Sequence, residues 1–444
     1  MKKIISSILL LCMCLSFLSC KQKPQGVQEE TKKETVVETQ EETQGETQEE
    51  VTENNIYLEN DYQVAAPLVY PDYTFTQTPG TDELRQMAVK AMADMLSVQW
   101  CVDRFFSYNK TSTGSGKDYN FIPQNTYGGM PYTNADGSIV QWFEFYDQNT
   151  GRLLIEGDTQ QINDCVGNTC AGCVCAAWQT VCTSISGYFG TGDMVVRNGF
   201  IPVGGYESPD YIAGFNQYST QQILEDNGRD VMFACYAQVL PADALVSTPD
   251  VHAVMAIEAA YVVYKADGSI DPDASYITIQ DQRNGQGQGF YNVDINGQTV
   301  FCNGRLSHQY TFNQLWDLGY IPVTTAEFLG TKEYEAPQVA FDGDTSKKGG
   351  IAQGYITSNY PICVAKMVLV DEDGKETLVE RILLDKRDVV GGTALRFPVA
   401  QFLTSTNSQQ FMQLMEEGKN YKLRYVVSVS NAQCFIPLEV TVAE

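Results

Sequence analysis

Histidine is nearly missing from this chain: two stand among 444 residues, at positions 252 and 308. That excludes a zinc site of His-x-x-x-His spacing, and the lone Cys-x-x-Cys pair, Cys170 and Cys173, has no second pair to complete a four-thiol site. It also leaves His252 and His308 as the whole choice for any imidazole base. Basic residues are scarce as well, 29 against 55 acidic ones, and the net charge of −26 repels nucleic acid and anionic membrane surfaces alike. A long apolar run is lacking too, because the hydrophobic stretch at the N-terminus is short for a stable membrane span. No internal repeat is present, and no cofactor is expected. What remains is 43% hydrophobic residues, enough to bury one large core or two ordinary ones.

The first twenty residues, "MKKIISSILLLCMCLSFLSC", set Lys2 and Lys3 before an apolar run ending at Leu18-Ser19-Cys20, the layout of an export signal. A small residue directly before a cysteine resembles the bacterial lipobox, although Phe17 stands where Leu is more usual. The resemblance implies lipidation of Cys20 and anchoring at the extracytoplasmic face of the bacterial membrane, with contact to the membrane through the lipid only. An ordinary secretory signal cut nearby is the alternative. Residues 21–62, dominated by Glu, Gln and Thr, cannot bury enough apolar surface to offset their ordering entropy and are expected to form a solvated acidic stalk.

Three of the thirteen cysteines lie in the signal; the other ten show no repeating spacing and sit in apolar contexts, which points to free buried thiols. A long core helix is expected from an N-cap at Thr81, with apolar residues recurring from Leu84 to Leu96. "VMFACYAQVL" at 231–240, "VHAVMAIEAAYVVY" at 251–264 and "ASYITIQDQ" at 274–282 read as strands, His308 as a loop residue before a helix capped at Thr311 with Gln314 reaching back. Beyond about residue 335 strands and turns alternate, and only "TNSQQFMQLMEEG" at 406–418 reads as helical. This predicts an α+β domain over 63–332 followed by a small all-β immunoglobulin-like sandwich over 333–444.

The stretch "DCVGNTCAGCVCAAWQTVC" at 164–182 places five cysteines in nineteen positions. Cys165, Cys170 and Cys173 reproduce the spacing of plant-type iron-sulfur ligation, but no nearby fourth ligand is evident beyond distant Cys235 or Cys302, and a chain exported unfolded would have to acquire its cluster outside. From Cys170 the pattern fits a buried helix, with a turn at Gly167-Asn168 before it. Cys170 therefore falls near the helix N-terminus, where orphan N–H groups and the dipole stabilise a thiolate. A nucleophile there needs a base, and His252 shares a strand face with Val254 and Ala256. The base needs an orienting group, for which the next strand offers Gln280, Asp281 and Gln282; Asp281 can accept a hydrogen bond as a carboxylate and is preferred. A structural histidine and a strand-end aspartate are the bland alternatives for these two.

"TYGGMPYTNADGS" followed by "NTCAGCVCAAW" resembles the motifs of NlpC-type cell-wall peptidases, a papain-like group. Gly129-Met130-Pro131-Tyr132 matches that family's Gly-x-Pro-Tyr turn, and Thr169-Cys170-Ala171-Gly172-Cys173-Val174 its Asp-Cys-Ser-Gly-Phe-Val stretch. The resemblance covers residues 80 to 330 and implies a papain-like cysteine hydrolase with Cys170 as nucleophile, His252 as base, Asp281 as its partner and Tyr132 at the cleft as donor or substrate contact. Thr169 and Ala171 depart from the pattern, and the gap from Tyr132 to Cys170 is long. Aligned instead on papain's own Cys-Gly-Ser-Cys-Trp, "CAGCV" makes Cys173 the nucleophile, and Asp164-Cys165 is a third contender. The implied activity is cleavage of peptide or amide bonds in cell-wall peptides or an extracellular peptide substrate; the competing reading is a binding or adhesion lipoprotein with the same fold and a dead site.

Overall fold

A computed structural model describes residues 72–442 except 110–117, 134–136, 148, 154–166, 188, 197, 209–218, 284–290, 296, 349–350, 385–394, 403–412, 416–418 and 432–433. The signal with Cys20, the stalk, Cys165 and most of the helix expected at 406–418 lie outside the described residues. In chain order the elements are α1 (Thr81–Ser97), β1 (Gln99–Val102), β2 (Phe106–Asn109), β3 (Asp118–Phe121), β4 (Thr126–Gly128), α2 (Ile139–Trp142), β5 (Tyr146–Asp147), β6 (Arg152–Leu153) and α3 (Cys170–Trp178). Next come β7 (Ile201–Pro202), α4 (Thr220–Asn227), α5 (Arg229–Tyr236), β8 (Ala244–Ser247), β9 (His252–Ala256), β10 (Tyr276–Gln282), β11 (Tyr291–Ile295), β12 (Gln298–Cys302), β13 (Gly304–Thr311), α6 (Phe312–Asp317) and β14 (Tyr320–Thr324). The remainder is β15 (Val339–Lys348), β16 (Ile351–Ser358), β17 (Ile362–Val370), β18 (Glu376–Leu383), β19 (Arg396–Pro398), β20 (Tyr421–Val429) and β21 (Cys434–Val442). The fold is mixed α and β, mostly sheet with few helices.

An antiparallel sheet ordered β13-β10-β9-β8-β14-β7 carries the histidine strand, and a mixed sheet ordered β11-β12-β4-β1-β6-β5 stands beside it. All nine residues of α3 are buried, the mark of a helix packed on every side. Its small Cys, Ala and Gly residues let α1 and strands β9 and β10 approach closely, and Trp178 Nε1 anchors its far end by donating to Ala242 O at 2.8 Å. Eight cysteines whose side chains are described stand outside any disulfide, and seven of them are buried.

Local physics corrects several expectations. The cap of α1 is Gly80 rather than Thr81: the Glu83 carboxylate accepts from Gly80 N at 2.8 Å, and Leu84 N donates to Gly80 O. "VMFACYAQVL" is helical over its first half, as α5, because Met232, Phe233, Cys235 and Tyr236 are buried while Val231 and Ala234 are exposed, a spacing of 3.6 and not 2. The strand beginning at His252 ends at Ala256 and does not reach Tyr264. His308 belongs to β13, paired opposite Ile279. The cap expected for α6 is present, with Thr311 Oγ1 accepting from Gln314 N and the Gln314 amide oxygen accepting from Thr311 N.

C-terminal strands form a three-stranded sheet β15-β16-β19 and a four-stranded sheet β18-β17-β20-β21 around one apolar core containing Ile356, Phe397, Met367, Leu423 and Tyr425. Strand β17 is buried along almost its whole length because it serves two cores. Ala365, Met367 and Leu369 face the C-terminal core, whereas Cys363 and Val364 join the larger one. Gln141 of α2 donates to the Cys363 and Leu384 carbonyls, both at 3.0 Å, and Lys366 pairs with Glu144 at 2.7 Å. Residues 56–444 accordingly make a single compact unit. Among the described residues, no helix is long and apolar enough to cross a membrane.

Candidate active site

The site begins with a glycine turn pinned to the end of α1. Gly129 takes φ +73°, and a Cβ there would stand 2.8 Å from Leu96 O, so only glycine fits both the conformation and the space. Gly129 N donates to Val98 O and Met130 N to Met95 O, each at 2.8 Å, which aims the following Pro131-Tyr132 at the cysteine segment. There Asn168 N donates to Pro131 O and Thr133 N to Asn168 O, a short parallel bridge between Tyr132 and Asn168. Gly167 makes that bridge possible, since a Cβ on it would fall 2.1 Å from Pro131 O. Two glycines thus carry Tyr132 to the start of α3.

Cys170 is the first residue of that helix. Thr169 caps it, its side chain accepting from Gly172 N at 3.0 Å, and the first-turn N–H groups lie toward the thiol end of the helix dipole. The Tyr132 hydroxyl donates to Cys170 Sγ at 3.6 Å, and the thiol in turn points to Val251 O at 3.8 Å. Burial opposes ionisation of this thiol, yet the charge of His252, the Tyr132 hydroxyl and the Ala253 backbone hold its pKa below the usual thiol value. Cys173, one turn further in and fully buried, is the opposite case, pushed well up by burial and then by the neighbouring Cys170 charge.

His252 opens β9 just after Val251, which is 61% exposed and held at φ +49°, an outlier for a β-branched residue beside a reactive group. Ile279 pairs with Ala256 and Gln280 with Met255, so alternation along the two strands puts Asp281 on the face of Ile279, Ala256 and His252. His252 Nε2 meets Asp281 Oδ2 at 3.0 Å, with both side chains fully buried. The other ring nitrogen, Nδ1, makes no hydrogen bond among the described residues, and the Cys170 sulfur acts on the ring through its charge. Burial works against the imidazolium, but the Cys170 charge and the Asp281 hydrogen bond outweigh it and lift the His252 pKa to about 9. Burial likewise works against the Asp281 carboxylate, and hydrogen bonds from Arg305 and then His252 hold it down at about 2.

Of the sequence candidates, Cys170, His252, Asp281 and Tyr132 come together. Gln280 and Gln282 point from the opposite face of β10 and bond to Val89 O and Met130 O. His308 lies against Tyr310, with ring centroids 4.8 Å apart and no contact to the thiol, and burial followed by Arg305 lowers its pKa. Three participants escaped sequence reasoning: Arg305, bidentate to Asp281; the Val251 carbonyl; and Thr169 as a cap, which its type and position did signal. Among the described residues no three His, Cys, Asp or Glu side chains are grouped to hold a metal. Chemically, the arrangement can hold a thiolate beside an imidazolium, with a carboxylate behind it. No protein-family model, curated protein or solved structure matches the chain.

Proposed function

We propose that this protein is a cysteine hydrolase of papain-like, NlpC-type fold, anchored to the cell envelope through Cys20, that cleaves peptide or amide bonds in cell-wall peptides. A small immunoglobulin-like sandwich follows the catalytic part. The observation that carries the reading is one buried imidazole, His252, hydrogen-bonded through Nε2 to the fully buried Asp281 carboxylate and lying within the field of the helix-N-terminal Cys170 thiol.

In this mechanism the Cys170 thiolate attacks the amide carbonyl carbon, and the oxyanion of the tetrahedral intermediate takes the Cys170 N–H and the Tyr132 hydroxyl. The His252 imidazolium gives its proton to the departing amine as the C–N bond breaks, leaving a thioester on Sγ. Neutral His252 then takes a proton from water, which attacks the thioester and releases the acid; the proton returns the ion pair to its starting state. Asp281 keeps the ring oriented and compensates the imidazolium charge.

The pH dependence follows from the shifts. Cys170 ionises below its ordinary range and His252 stays protonated up to about 9, so the ion pair exists between those limits and is lost as pH rises past the upper one. Iodoacetamide labelling of each cysteine, mapped by mass spectrometry across pH, is expected to show fast reaction of Cys170 at pH values below the ordinary thiol range. His252→Ala is expected to slow it by at least about tenfold, as the counter-charge is removed. Hydrolysis of muropeptides is then expected to follow the same acid edge and fall above about pH 9. Uniformly slow labelling, indifferent to His252, would sink the hydrolase and leave a binding lipoprotein.

A further inference from the structure

Behind His252, Asp281 must stay ionised where water does not reach and must keep one oxygen in line with Nε2. A carboxylate without exposed surface tends to take up a proton or turn toward any available donor. Arg305 answers both tendencies at once. Its Nε donates to Oδ1 at 2.8 Å and its Nη2 to Oδ2 at 2.7 Å, a two-point fork that fixes the carboxylate plane, while Oδ2 is shared with His252 Nε2 at 3.0 Å.

The backbone is built to deliver that fork. Along β10 and β13 the pairing runs Thr278 with Gln309 and Ile279 with His308, then slips so that Asp281 pairs with Arg305. An unbroken register would set Leu306 opposite Asp281; the extra residue in β13 replaces it by Arg305 and leaves Leu306 48% exposed. Next to it, Gly304 has no room for a side chain, since a Cβ would lie 2.5 Å from Asp281 O and 2.6 Å from Leu96 Cδ2. The bulge and the glycine bring β13 against β10 at the carboxylate.

We propose that Arg305 is a positioning residue of the site, acting through Asp281 to hold His252 in the tautomer and orientation that sustain the Cys170 thiolate. The inference rests on the cysteine-hydrolase reading above. The charged and titratable groups facing Asp281 are His252 from β9, Arg305 and His308 from β13, Cys173 from α3, and Arg283 just beyond β10, whose Nη1 is 3.9 Å from Oδ2. Tyr310 Oη accepts from Arg283 at 3.0 Å and from Arg305 at 3.4 Å, bracing both guanidinium groups. Arg283 is too far to fork the carboxylate, so its charge remains after Arg305 is removed but the geometry does not.

The test is the pH profile of Cys170 alkylation in the full chain, for the wild type, Arg305→Met, Arg305→Lys, Asp281→Asn and His252→Ala, with circular dichroism to establish folding. In Arg305→Met the Asp281 carboxylate protonates on acidification, the imidazolium loses its support, and the acid edge of labelling is expected to move up by at least one pH unit. Labelling at pH 8.5 is expected to remain within about threefold of wild type, where a merely structural loss would depress it throughout. Arg305→Lys keeps the charge without the fork and is expected to give a smaller upward shift; should the methionine variant not fold, this one decides. Asp281→Asn is expected to slow Cys170 labelling at every pH, since no carboxylate remains to titrate. An acid edge unmoved in the folded Arg305 variants, with wild-type labelling still fast and dependent on His252, overturns the inference alone. Slow wild-type labelling that ignores His252→Ala overturns the hydrolase reading and the inference together.

Discussion

Tyr132 Oη reaches Cys170 Sγ at 3.6 Å from a half-buried position, so one hydroxyl faces both the resting thiolate and, in the proposed reaction, the developing oxyanion. Removing it takes a donor from each. Tyr132→Phe is expected to lower kcat by about ten- to a hundredfold, in the range for loss of one such donor, with little change in KM. The same variant should move the acid edge of Cys170 labelling upward, because the hydroxyl helps to hold the thiol pKa down. Unchanged kcat on a hydrolysed substrate would make Tyr132 a plain turn aromatic. Cys173 has no such part: burial holds it protonated, and its position one turn inside α3 makes it packing.

At the scale of elements, the decisive contact is between the Pro131-Tyr132 turn and the segment that leads into α3. Gly167 has its missing side chain 2.1 Å from Pro131 O, a backbone atom that cannot swing aside. Gly167→Ala must therefore separate the two segments, break the Asn168 N to Pro131 O bond at 3.1 Å and carry Tyr132 away from the thiol. The expected cost is roughly 1 to 3 kcal/mol, the range for overpacking a tight contact, with loss of kcat matching that of Tyr132→Phe. Thermal denaturation and kinetics on the same preparation check it; wild-type values for both would show that the bridge does not position Tyr132.

For the whole molecule, the C-terminal strands brace the part that bears the site. Ser430 Oγ donates to Gln179 O at the last turn of α3, Tyr360 Oη to Val181 O just beyond it, and Tyr73 N to Asn431 O. A nine-residue helix is about 13 Å long, so these contacts hold one end of α3 while Cys170 sits at the other. Cutting the chain after residue 332 would leave Gln141, 1% exposed, without both its acceptors and would uncover the larger core where Cys363 and Val364 now lie. Each buried amide left unpaired costs about 1 to 3 kcal/mol, and total stabilities are only about 5 to 15 kcal/mol. The truncated protein is expected to melt at least 10 °C lower than the full chain or to aggregate on expression. A fragment with the parent's melting point and Cys170 reactivity would make the C-terminal strands a separable appendage.

Much of this was legible in the residues alone. Apolar periodicity marked α1 and α3, the Thr311-Gln314 pair marked the cap of α6, and period-2 alternation set His252, Val254 and Ala256 on one face, because these signals are local and repeat within a few residues. With only two histidines, the partner of Cys170 was nearly decided by scarcity. Short apolar runs were less decisive: "VMFACYAQVL" fits strand or helix until burial selects one. Arg305 carried no signal at all, since its place opposite Asp281 depends on a one-residue slip between strands that begin more than twenty residues apart. The docking of β17 onto α2 was equally invisible, because a strand buried on both faces reads the same whichever core each face serves. Local chemistry chose the thiol, the imidazole and the carboxylate; long-range register and packing decided which guanidinium holds the carboxylate and what stands behind the helix.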